Sequence, residues 1–94
     1  MSATPEPQPR ITLIGKPGCH LCDDARAIVE RVAGDLGVGW HEVSILDDRE
    51  LFERYAEQIP VTLVDGRQHD YWRVDEARLR AALASPPAEA SPGL

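Results

Sequence analysis

Apolar positions along this chain follow two spacings, short continuous runs and helical stripes, and their alternation predicts its elements. In Arg10–Gly15, Ile11, Leu13 and Ile14 read as a short buried strand. Pro17 biases Lys16 to extended backbone, so the strand runs out there, and Gly18 permits an unusual backbone angle before Cys19. From about His20 to Leu36, the apolar residues Leu21, Ala25, Ile28, Val29, Val32 and Leu36 share one helical face. Gly37 and Gly39 mark the end of that helix. Val38 to Ile45 predicts a second strand with Val43 and Ile45 on its apolar side. Strand, helix and strand at this length form a βαβ unit, which makes the two strands parallel and the crossover right-handed.

The second half turns to hairpin signals. Asp47, with Glu50 three residues on, predicts a capping box opening a helix to about Glu57 that buries Leu51, Phe52 and Tyr55. Ile59-Pro60 precedes a third strand, Val61 to Val64, and Asp65-Gly66 is a two-residue hairpin signal. The returning strand spans about Gln68 to Val74. Asp75 caps a last helix ending near Ala84, with Ala77, Leu79, Ala82 and Leu83 apolar. The order is β-α-β-α-β-β-α, without internal repeat.

Composition trims this to one domain. Residues 1–9 hold three prolines, and residues 85–94 are equally poor in groups able to form a core. Both read as disordered tails around a folded unit at 10–84. No secretory signal or bilayer-length apolar stretch is visible, so the expectation is a cytoplasmic protein without membrane contact. The formal net charge of −6 argues against binding a nucleic-acid backbone. Nine of the ten basic residues are arginine, and the one lysine, Lys16, stands beside the only two cysteines.

Those cysteines, Cys19 and Cys22, are the candidate chemistry. Their C-x-x-C spacing falls where strand hands over to helix, and a helix N-terminus carries partial positive charge. The thiolate is the reactive form of cysteine, and a positive environment favours it. The dipole alone brings a thiol of about 8.5 down to about 7. Lys16, a protonated His20 or the Cys22 thiol would lower it further, whereas Asp23 and Asp24 act the other way. The expected result is a moderately acidic Cys19 suited to a reductant.

Lys16-Pro-Gly-Cys-His-Leu-Cys22, followed by Ile59-Pro60-Val61 and Val64-Asp65-Gly66, resembles the glutaredoxins of the thioredoxin superfamily, in particular short bacterial members without a settled substrate. The resemblance implies a thioredoxin-like α/β fold: a four-stranded mixed sheet in the order 2-1-3-4, flanked by three helices. It implies a thiol–disulfide oxidoreductase that reduces protein or small-thiol mixed disulfides. Cys19, exposed at the helix start, is the expected nucleophile, and Cys22, one turn in, the resolving thiol. Pro60 is expected cis beside the cysteines, with the Ile59 backbone pairing with an extended substrate. Lys16, His20, Leu21, Ile59, Pro60 and Arg73 form the expected substrate-binding set. No resident cofactor is implied. Glutathione or an analogue serves as co-substrate, and a reductase or small thiol as electron donor.

The chain departs from the family's habits. His20-Leu21 stands where dithiol glutaredoxins carry Pro-Tyr. Trp72 and Arg73 occupy the place of a glycine pair against which glutathione rests. Either these side chains block glutathione, or Arg73 grips the carboxylate of a different small thiol. Two other functions fit the same motif: an iron–sulfur or metal carrier using the C-x-x-C pair, and a non-catalytic binding module. His41 and His69 lack the spacing of a zinc ligand pair.

Overall fold

The computed structural model describes residues 9–84. Apart from Pro9, the tails expected at 1–9 and 85–94 lie outside the described residues. Strand β1 (Ile11–Gly15) leads into α1 (His20–Leu36), then β2 (Trp40–Ser44), a short 3-10 turn (Ile45–Asp47) and α2 (Arg49–Tyr55). Strands β3 (Val61–Val64) and β4 (Arg67–Tyr71) form a hairpin, and α3 (Glu76–Ala84) follows. The sheet order is β2-β1-β3-β4, with β1 parallel to β2 and antiparallel to β3. This is the four-stranded, three-helix arrangement expected from the sequence.

The pleat of β1 divides the core. Ile11 and Leu13 pack with Ala25, Val29, Val32, Leu79 and Leu83, so one face of the sheet carries α1 and α3. Ile14 points the other way, to Val61, Ile45 and Tyr55 under α2. The central strand is buried on both faces, as its largely apolar run, broken only by Thr12, requires.

A partly buried ion pair ties the end of the molecule remote from the cysteines. Arg10 Nε and Nη2 meet the Asp65 carboxylate at 3.0 and 2.8 Å, and Nη1 donates to the Leu83 carbonyl at 3.1 Å. The start of β1, the hairpin turn and the end of α3 are thereby fixed together. Asp65 and Gly66 both have positive φ, as the two-residue hairpin demands.

Several local expectations are corrected. Phe52 is exposed rather than buried, at 48 %, and Leu21 and Leu36, though on the apolar face of α1, are exposed at 40 and 43 %. Asp48, not Asp47, caps α2, its carboxylate accepting the N–H groups of Glu50 and Leu51. Glu50 therefore stands too early in the helix to complete a capping box. Ile45 is buried but belongs to the 3-10 turn after β2. Strand β4 ends at Tyr71, three residues sooner than its composition suggested, because Trp72 turns to φ 66° and its N–H points back to the Pro60 carbonyl at 2.7 Å.

Candidate active site: a dithiol at a helix start

The dithiol follows from how β1 ends. Lys16 and Pro17 leave the strand, and Gly18 takes φ 79°, a left-handed conformation that a side chain disfavours. This turn places Cys19 as the N-cap of α1, with extended backbone. Its carbonyl accepts the Asp23 N–H at 3.1 Å, and its Sγ accepts the Cys22 N–H at 3.2 Å. Cys19 thus takes the capping position usually held by a serine or aspartate oxygen.

The two thiols differ in surroundings. Cys19 is half-buried, and Cys22 is fully enclosed. Burial pushes the Cys22 thiol up to about 11, helped by a side-chain hydrogen bond with Cys19, while the Lys16 backbone N–H acts in the opposite direction. At neutral pH, Cys22 is therefore a protonated thiol hydrogen-bonded to its neighbour.

Gly15 makes room for that sulfur. A Cβ on Gly15 would lie 2.7 Å from Cys22 Sγ and 3.3 Å from its Cβ. The resolving thiol rests directly on the strand backbone. The register then brings in the proline. Ile14 pairs with Val61, so one step further sets Pro60 opposite Gly15. Pro60 is fully buried, and its peptide bond with Ile59 is cis, as the resemblance implied.

The remaining site residues divide by place. Lys16 and His20 are exposed on either side of Cys19 in the chain. Leu21 and Arg73 meet in one cleft of about 260 Å³, whose lining also includes Ala25, Ile28, Trp72 and Val74, with Asp24 at its edge. Ile59 is partly buried under α2. Trp72 links these two parts: its backbone N–H bonds the Pro60 carbonyl, and its indole Nε1 donates to the Glu57 carbonyl at 3.1 Å.

The sequence offers Asp23 as a negative charge beside the thiol. In the structure its carboxylate meets Arg26 at 2.8 Å, and Arg26 also holds Glu42 through two bonds of 2.8 and 2.7 Å. The i,i+3 spacing of Asp23 and Arg26 was a legible sign of that pairing; Glu42, on β2, was not. The role of Gly15 is likewise not legible in the sequence, since it depends on a contact between strand and helix. His41 Nε2 lies 2.9 Å from Thr12 Oγ1, and His69 Nε2 is buried without a hydrogen-bond partner among the described residues. No three His, Cys, Asp or Glu side chains among the described residues gather as a metal-binding group.

A sheet of order β2-β1-β3-β4 with a cysteine pair opening the first helix, and a cis proline across from it, defines a thioredoxin-fold protein of the glutaredoxin type. The comparisons agree. The glutaredoxin-like domain family (DUF836) matches residues 10–84, and the chain belongs to that family. The uncharacterized protein Rv0508 of Mycobacterium tuberculosis is 30% identical, over 90% of this chain and 98% of its own. The X-ray structure of protein XcR50 from X. campestris is 35% identical, with a TM-score of 0.65 over 81% of this chain and 99% of that one. Fasciola hepatica thioredoxin shares the fold at 22% identity and a TM-score of 0.55, covering 79% of this chain and 76% of its own. No helix among the described residues is long and apolar enough to cross a membrane.

Proposed function

We propose that this protein is a thiol–disulfide oxidoreductase in which Cys19 is the nucleophile and Cys22 the resolving thiol. The observation that carries this reading is the asymmetry of the pair: Cys19 is accessible and capped onto the helix start, and Cys22 is enclosed and still protonated at neutral pH. Cys19 as thiolate attacks one sulfur of a substrate disulfide. That S–S bond breaks, one substrate thiol leaves, and a mixed disulfide forms at Cys19. Cys22 then loses its proton and attacks Cys19 Sγ, releasing the second substrate thiol and leaving a Cys19–Cys22 disulfide. Two electrons pass from the protein to the substrate, and the two protons of the dithiol end on the two substrate thiols.

The substrates are disulfides of proteins or small thiols, and a small thiol such as glutathione or an analogue, or a reductase, restores the dithiol. The site needs no bound cofactor for this cycle. A reducing compartment, the cytoplasm, suits a vicinal pair that must return to the dithiol form.

The reduced protein is to be mixed with 2,2′-dithiodipyridine and the thiopyridone release followed. The expected result is two equivalents in two phases for the native chain, one for Cys22→Ser with a stable adduct on Cys19, and none at comparable rate for Cys19→Ser. Equal, slow reaction of both cysteines would overturn the assignment.

A further inference from the structure

The cleft that begins at Leu21, between the two cysteines in the chain, has a floor of Ala25, Ile28 and Val74. Trp72 also lines it and remains 52 % exposed, although its backbone N–H bonds the Gln58 and Pro60 carbonyls and its indole N–H the Glu57 carbonyl. The cleft thus holds Leu21, which stands between the two cysteines in the chain, and Trp72, which is hydrogen-bonded to the segment around Pro60. At about 260 Å³ it has room for one large side chain, and it is smaller than the roughly 300–1,000 Å³ of pockets that enclose whole ligands. Its two charged lining residues are Asp24 and Arg73, one acid and one base, so the lining carries no net charge. A multiply charged small thiol gains no long-range attraction there, whereas an uncharged apolar group gains burial.

We propose that this cleft receives a bulky apolar side chain next to the disulfide-bonded cysteine of a polypeptide, making peptide disulfides the preferred substrates. The inference rests on the oxidoreductase reading above. It assigns Leu21 and Trp72 as specificity-determining residues: their exposed apolar surfaces are withheld from the core and turned to the same cleft. In the cycle, the neighbouring side chain docks as Cys19 attacks the peptide sulfur. The peptide S–S bond breaks, and Cys22 later displaces the bound peptide thiol.

The test is kcat/KM for disulfide-linked peptide pairs that differ only in the residues flanking cysteine: Leu or Phe, against Ser or Asp, at either side. Glutathione disulfide is the small-thiol comparison, and 2,2′-dithiodipyridine reports whether Cys19 is reactive at all. The expected result is a preference of about tenfold or more for Leu or Phe at one flanking position. Leu21→Ser and Trp72→Ala should reduce that preference to within about twofold. Trp72→Phe, which keeps an aromatic wall, should retain most of it, and thermal melts establish that each variant is folded. A flat response across flanking residues, or a preference for glutathione disulfide, overturns the proposal while leaving the oxidoreductase reading intact. Absence of any reaction at Cys19, even with dithiodipyridine, overturns both. A preference that survives in Leu21→Ser and Trp72→Ala assigns the selectivity elsewhere and refutes this site.

Discussion

Gly15→Ala is the sharpest probe of how strand and dithiol are built together. Gly15 has no positive φ, so by backbone alone alanine is acceptable, and the smaller unfolded-state entropy would stabilise the protein by about 0.4–1 kcal/mol. The structure requires the opposite sign. The new methyl would lie 2.7 Å from Cys22 Sγ and 3.3 Å from Cys22 Cβ, against a comfortable separation of about 3.5–4.0 Å. Cys22 Cβ is held by the helix backbone, and turning the sulfur away breaks its contacts with Cys19 and the Lys16 N–H. Overpacking of this kind costs about 1–3 kcal/mol; taking the middle of that range, about 2, and subtracting the entropic gain, the net loss is about 1–2 kcal/mol. In a domain of this size that lowers Tm by roughly 4–16 °C. The assay is urea unfolding of the reduced protein, carried out in both the native and the Cys22→Ala backgrounds. Without the sulfur, the cost of Gly15→Ala should shrink by about 1 kcal/mol or more, a coupling expected only of residues in contact. A stabilising Gly15→Ala, or an equal loss in both backgrounds, would refute the packing argument.

Three further outcomes are expected. The raised Cys22 pKa makes the folded state hold a proton that the unfolded chain releases, so this increment of stability is intact below about pH 9 and lost as pH rises through about 11; urea unfolding of the native chain should weaken more steeply than that of Cys22→Ser over this range, and parallel profiles would contradict it. The Glu76 carboxyl is held down to about 2 by Arg31, which joins α1 to α3, and by Arg80 one turn along α3, so its contribution is present above about 4.5 and lost as pH falls through about 2; thermal melts of Glu76→Gln should be less acid-sensitive than those of the native chain, and identical acid slopes would count against the pairing. Asp65→Asn keeps a residue tolerant of positive φ but leaves Arg10 half-buried without its carboxylate, at a cost of up to about 3 kcal/mol by urea titration; a change below about 0.5 kcal/mol would mean that the pair behaves as a surface bridge.

The sequence by itself determined the element order and the place of the dithiol. Strand β1, helix α1 and the hairpin are specified by local signals: an apolar run ended by Lys16-Pro17, a helical stripe from Leu21 to Leu36, and Asp65-Gly66. C-x-x-C spacing at a strand-to-helix junction then fixes both sulfurs at the start of a helix, because covalent spacing and helix geometry leave no other place for them. Tertiary structure decided everything that depends on partners distant in sequence. Periodicity alone buries Phe52 and sets Leu21 and Leu36 on the apolar face of α1, but all three are exposed in the folded chain. Composition continued β4 through Val74, whereas hydrogen bonds from Trp72 to the Pro60 and Glu57 carbonyls end it early and turn a strand residue into a wall of the cleft. The pairing of Arg26 with Glu42 and the contact of Gly15 with Cys22 arise the same way, from packing a helix on a sheet at one register. A local pattern records which face a residue prefers. Which atoms meet across that face is set only when the whole chain has closed around it.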